Sequence, residues 1–116
     1  MDQKRKPIKS KKLRDSARGE DCTLNIAGVC NYDSSTTVLA HLPDDSGTGK
    51  MGGKSDDICA VYACSDCHDI LDGKKDMQDY GCVNNEEWED YDIGYQHRAL
   101  KRTIRRMVEN GSVVIK

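Results

Sequence analysis

A small α+β fold is predicted for this 116-residue chain by three features. Two strand-like runs are separated by a glycine-rich loop, a helical stretch follows the second run, and four cysteines are set as Cys22-x7-Cys30 and Cys64-x2-Cys67. A tight Cys-x2-Cys pair at a turn commonly joins a second pair from elsewhere, because four thiolates complete a tetrahedral shell around zinc. Structural Zn2+ is therefore expected on Cys22, Cys30, Cys64 and Cys67. The six cysteines, with Cys59 and Cys82 as spectators in this reading, also permit two or three disulfides. Against that, the opening Met1-Asp2-Gln3-Lys4-Arg5-Lys6 leads into no apolar stretch of signal length, and no run approaches a membrane span. A cytoplasmic protein with reduced thiols and no membrane partner is the expectation.

Composition points the same way. Only 36% of residues are hydrophobic, with one tryptophan, five tyrosines and no phenylalanine, so little large apolar volume is available for a core. A structural zinc contributes on the order of 10 kcal/mol of folding free energy in small peptides, enough to offset such a shortfall. The net charge of -2 hides a segregation along the chain. Residues 1 to 18 carry eight lysines and arginines against two aspartates, whereas residues 66 to 92 carry ten acidic residues against Lys74 and Lys75.

Taken in order, residues 1–17 read as a basic flexible arm that neutralises phosphates or solubilises the chain, and residues 18–116 as a single domain. Thr23-Leu24-Asn25-Ile26 alternates as a short strand before a turn at Ala27-Gly28-Val29-Cys30. Thr36 to His41 is rich in β-branched residues and reads as a strand ended by Leu42-Pro43. Residues 44–55, with four glycines and two lysines, read as an adaptable loop. Its Gly47-Thr48-Gly49-Lys50 lacks the spacing and the hydroxyl of a Walker A motif, so nucleoside triphosphate binding is excluded. Ile58 to Ala63 is a second strand, and Cys64 to Asp72 a short helix stopped by Gly73. Residues 74–92 read as irregular and acidic, with an exposed excursion at 84–92, anchored by Trp88, that is a solvated insertion, a partner-docking loop or a DNA mimic.

Tyr95 to Asn110 reads as the longest helix, stopped by Gly111, and Val113-Val114-Ile115 as an edge strand. Arg98, Lys101, Arg102, Arg105 and Arg106 fall on one stripe of that helix, while Leu100, Ile104, Met107 and Val108 share another face. The stripe is a candidate nucleic-acid contact or a solvated face.

On a helix, consecutive residues project about 100° apart. If Cys64 and Cys67 face a zinc, His68 projects elsewhere and is freed for a second task. His41, at the exit of its strand, is a candidate general base for phosphodiester hydrolysis, and His68 a candidate ligand for a catalytic divalent cation, Mg2+ or another. A strand packed on the helix would bring both imidazoles to one cleft.

Four segments, Arg18-Gly19-Glu20-Asp21-Cys22, Gly28-Val29-Cys30-Asn31, Val38-Leu39-Ala40-His41 and Ala63-Cys64-Ser65-Asp66-Cys67-His68-Asp69, resemble the HNH, or ββα-metal, endonucleases. The resemblance is greatest to the small phage and prophage nucleases of the YbcO-like group. It implies a zinc-stabilised ββα-metal domain with an added C-terminal helix, His41 as general base, His68 as metal ligand, and DNA cleavage in a host cytoplasm. Two positions depart from the pattern. Ala40 stands where an acidic metal ligand is usual, and Cys59 where an asparagine is usual. Asp57, Asp69 and His97 are candidates for the missing ligand. A noncatalytic zinc module that binds nucleic acid or a partner protein is the alternative function, and a homodimer is one expected state because cutting two strands often pairs two sites.

Overall fold

The centre of the molecule is an antiparallel pair of short strands, β1 (Val38–His41) and β2 (Ala60–Ala63). The computed structural model describes residues 8–42, 56–81 and 85–115. Around the strands lie α1 (Lys11–Ser16), α2 (Ser65–Leu71) and α3 (Asn85–Glu109), with single 3-10 turns at Ser34–Thr36 and Met77–Tyr80. The result is a small α+β fold in which the described elements between residues 36 and 73 follow the expected order: strand, strand, helix. Register pairs Leu39 with Tyr62, Ala40 with Val61 and His41 with Ala60. The glycine-rich loop 44–55 and Cys82 lie outside the described residues. Among the described residues, no helix is long and apolar enough to cross a membrane.

Because side chains alternate across a strand, the sheet has two distinct faces. Ala40, Val61 and Ala63 join one buried cluster with Leu24, Ile26, Val29, Cys64, Cys67 and Ile70, so α2 and the first cysteine segment cover that face. Leu39, Ala60 and Tyr62 join the other with Leu13, Ala17 and Met107, so α1 and the end of α3 cover the opposite face. Helix α3 contributes Ala99 to the first cluster and Met107 to the second. Between those two residues, the Tyr62 amide donates to Thr103 Oγ1 at 3.1 Å, and the Tyr62 carbonyl accepts from the Thr23 amide at 2.8 Å. The edge of β2 is thus satisfied by a helix hydroxyl and a loop amide instead of a third strand.

Four elements differ from the expectations above. The segment from Lys11 to Ser16, expected within a flexible arm, is helical, since Ser10 caps it by accepting from the Leu13 amide at 3.2 Å and Leu13 and Ala17 are buried on the sheet. Thr23 to Ile26 forms no strand. Asn25 takes a left-handed φ of 42°, and the amides of Asn25 and Ile26 donate to the sulfurs of Cys22 and Cys67 instead of a neighbouring strand. Helix α3 begins at Asn85, ten residues before Tyr95, so much of the acidic excursion is helical. Trp88 packs on the core with its ring centroid 5.3 Å from that of Tyr95, seven residues on, which gives these turns an apolar anchor. Finally, Val113 to Ile115 is not a strand: the Val113 amide donates to the Met107 carbonyl, and Val114 and Ile115 are exposed. Gly111, at φ 81°, stops α3 where expected.

A four-cysteine metal centre and a histidine with a buried carboxylate

The sulfurs of Cys22, Cys30, Cys64 and Cys67 lie within 4.8 Å of one another. A tetrahedron with zinc–sulfur bonds of about 2.3 Å has edges of about 3.8 Å, and Cys64 and Cys30 are 3.9 Å apart. The donor set and its dimensions fit a zinc ion. Two backbone turns build it. In the first, the carbonyl of Ile26 accepts from Val29 and Cys30, which folds Cys30 back towards Cys22. In the second, Cys64 caps α2 by accepting from the Cys67 amide at 3.4 Å, so the helix start fixes both sulfurs. Amides donate to Cys22 from Asn25 at 3.2 Å and to Cys67 from Ile26 at 3.4 Å, orienting the sulfurs as hydrogen-bond donors around metal ligands do.

The thiols are too crowded to ionise independently. A hydrogen bond from the Cys67 thiol holds Cys22 as the thiolate, down to about 5 against the opposing effect of burial. Burial and the negative charge on its neighbours push Cys30 up to about 12, and the bond to Cys22 together with burial pushes Cys67 higher still. A divalent cation removes that repulsion, so binding is coupled to proton release. Cys59 is exposed and outside this group. Among the described residues, no other set of three or more His, Cys, Asp or Glu donors is close enough to hold a metal.

His41 lies at the end of β1 on the same face as Leu39, the face covered by α1. Its Nε2 is 2.8 Å from Asp57 Oδ1, in the turn that leads into β2. Asp57 is buried, and its other oxygen accepts from the Ser10 amide at 2.6 Å and lies 3.4 Å from Arg14 Nε. Burial alone would push this carboxyl up. The Ser10 amide, His41 and Arg14 outweigh it and hold the group below its ordinary 3.8. An ionised acceptor on Nε2 requires the proton there and leaves the Nδ1 lone pair for another partner. The imidazole side chain is 38% exposed.

His68, on α2, has a different carboxylate, Asp72 Oδ2 at 3.1 Å on the next turn. No hydrogen bond or ion pair joins His41 to His68 among the described residues. Ala40, beside His41 but on the α2 side of the sheet, is completely buried and offers no donor. Of the other candidate ligands, Asp57 is committed to His41, Ser10 and Arg14, while His97 is exposed on α3.

The basic stripe of α3 is divided. Arg98 donates to the carbonyls of Leu24 and Asn25 and stacks over Tyr95 at 4.8 Å, holding the first cysteine segment. Arg106 forms a bidentate pair with Glu20 and also reaches Glu109, which Arg105 contacts too. Lys101 and Arg102 are exposed. Sequence reasoning missed Arg14 and the role of Asp57. The usable signal was Ser10 followed by Leu13 and Ala17, an N-cap ahead of an i, i+4 apolar pair.

Residues 11–111 match the family described as "Putative nuclease YbcO". The chain belongs to the YbcO family. Two relatives are each 44% identical over 69 residues, 60% of this chain and 71% of theirs: "Putative nuclease YbcO" of Escherichia coli strain K12 and "Putative nuclease ybcO" of Enterobacteria phage 82. A solved structure described as a putative bacteriophage protein from Escherichia coli K-12 MG1655 is similar, with a TM-score of 0.57 and 29% identity. That alignment covers 86% of this chain and all of the other. The matched span of the YbcO family includes Cys22, Cys30, Cys64, Cys67, His41, His68, Asp57 and Arg14.

Proposed function

We propose that this YbcO-family protein is a metal-dependent endonuclease of phage or prophage origin. It hydrolyses phosphodiester bonds in DNA on an HNH-type, ββα-metal frame, in the cytoplasm of a host cell. The names of its relatives support the reaction class. The observation that carries the chemistry is the pair formed by His41 and the buried Asp57.

In this reading Asp57 fixes the ring through Nε2–H, and Nδ1 takes a proton from water. The water oxygen forms a bond to phosphorus while the bond from phosphorus to the departing sugar oxygen breaks, and that oxygen gains a proton from solvent. The imidazolium formed is stabilised by the carboxylate behind it. His68, with Asp72, would hold a divalent cation, Mg2+ or another, that neutralises charge on the phosphate. Zinc on the four cysteines is structural, fixing the start of α2. Lys101 and Arg102 are the residues of the α3 stripe freest to meet a DNA backbone.

The test is cleavage of plasmid and single-stranded DNA with Mg2+ or Mn2+, for wild type beside His41→Ala. Loss of a general base costs roughly 10² to 10⁴ in rate. Equal cutting by both proteins would remove His41 from the mechanism. A second reading, a noncatalytic zinc module that binds nucleic acid, is favoured by the buried methyl of Ala40 at the position where a metal-ligating carboxylate is usual. Salt-sensitive DNA binding without cleavage under any divalent metal would select it.

A further inference from the structure

His41 and Arg14 share one carboxylate. Asp57 Oδ1 lies 2.8 Å from the imidazole, and Oδ2 lies 3.4 Å from Arg14 Nε. The carboxylate side chain is 5% exposed, whereas those of Arg14 and His41 are 53% and 38% exposed, so a buried anchor presents two side chains to solvent. Arg14 is engaged through Nε alone, which also lies 3.5 Å from the Ser10 carbonyl. Among the described residues, nothing bonds its two terminal amino groups.

The anchor is itself braced. The Ile8 amide donates to Asp56 Oδ1 at 2.7 Å, the Asp57 amide donates to the Ile8 carbonyl at 2.8 Å, and the Ser10 amide donates to Asp57 Oδ2. The segment leading into α1 is thereby tied to the turn that carries Asp57, which fixes where Arg14 projects.

An arginine with free terminal nitrogens offers a planar fork that matches two oxygens of a phosphodiester, which a lysine ammonium does not. Ala40 supplies no donor on the far side of the strand, whereas Arg14 is tied to the same carboxylate that holds the His41 ring. We infer that Arg14 is a phosphate-contacting residue of the His41 site, gripping the non-bridging oxygens of the phosphodiester while His41 Nδ1 faces the attacking water. As His41 takes up the proton, Asp57 sits between two cations, and the site becomes more positive as charge builds on the phosphate.

This inference rests on the nuclease reading, and the test separates the two. Zinc-loaded full chains carrying Arg14→Ala, Arg14→Lys or Lys12→Ala are compared with wild type in thermal unfolding, cleavage kinetics, and the salt dependence of binding to a short DNA duplex. Arg14→Ala should lower kcat/KM by roughly 10² and reduce the slope of log affinity against log salt by about 1. Arg14→Lys should keep the slope and recover only part of kcat/KM. Lys12→Ala removes the same charge from the same helix and should change neither. A folded Arg14→Ala protein that binds and cuts like wild type overturns the inference and leaves the nuclease reading standing. If wild type binds duplex but cuts nothing, the nuclease reading falls and the salt slope of Arg14→Ala decides the contact. A wild type that neither binds nor cuts DNA overturns both.

Discussion

The two faces of the sheet hold sites of opposite character. On the α2 face, Cys64 and Cys67 are completely buried, Cys22 and Cys30 half-buried, and backbone amides are aimed at the sulfurs. On the α1 face a single carboxylate is buried, and the groups it holds, His41 and Arg14, stand open to solvent. The first arrangement fits an enclosed metal site, and the second leaves its side chains accessible. In a chain with few large apolar residues, a metal ion on the four cysteines would supply stability that the core lacks, and His41 and Arg14 can stay exposed.

The sharpest way to break the comparison is to remove the metal. A strong chelator, or Cys64→Ser, should abolish cooperative folding, since structural zinc supplies on the order of 10 kcal/mol in small domains. Elemental analysis should find one zinc per chain, and circular dichroism should show loss of helix on chelation. A protein that stays folded with the zinc stripped would mean that the two faces support each other without it, and the contrast would fail.

The second test removes Asp57 instead. Asp57→Asn keeps the shape but not the charge, and the amide cannot serve Ser10, His41 and Arg14 together. Because a buried hydrogen bond to a charged group is worth about 1.5 to 3 kcal/mol, the cost in stability should be near 2 kcal/mol, far below that of losing zinc. Cleavage, by contrast, should fall by roughly 10², the penalty of a misplaced reacting group, with metal content unchanged. An equal loss of zinc in this variant would show that the α1 face is not independent of the metal centre.

This contrast explains what could be read in advance. Cys22, Cys30, Cys64 and Cys67 were legible because metal ligation constrains residue type and spacing together, and both strands and α2 followed from β-branched runs and a glycine stop. The carboxylate behind His41 was not legible. Asp57 is one of many aspartates, and its burial depends on the docking of Ile8 and Ser10, 49 and 47 residues away in sequence. Likewise, the charge of residues 1–18 masked the short apolar signal of Leu13 and Ala17. Charge density in residues 86–92 concealed a helix whose anchor is the i, i+7 pair of Trp88 and Tyr95. The α3 stripe was legible as a pattern but not as a use. Arg98 and Arg106 are consumed by carbonyls of the cysteine segment and by Glu20, contacts that a helical projection does not contain.

The smallest effect, and the finest discrimination between the faces, comes from acid. The folded-state value of Asp57 lies below its ordinary 3.8, so its contribution is fully present above that ordinary value and is lost as pH falls through the lower, folded one. In zinc-saturated protein, the gap in thermal midpoint between wild type and Asp57→Asn should persist from pH 7 down to about 5 and close only below the ordinary carboxylate range. Zinc affinity should already weaken across the upper part of that range, because protons compete for thiolates. A gap that closed already between pH 7 and 6 would show that the stability lost with Asp57 is not that of an ionised carboxylate. A gap that persists down to the carboxylate range would show that the ionised Asp57 anchors Ser10, Arg14 and His41 together.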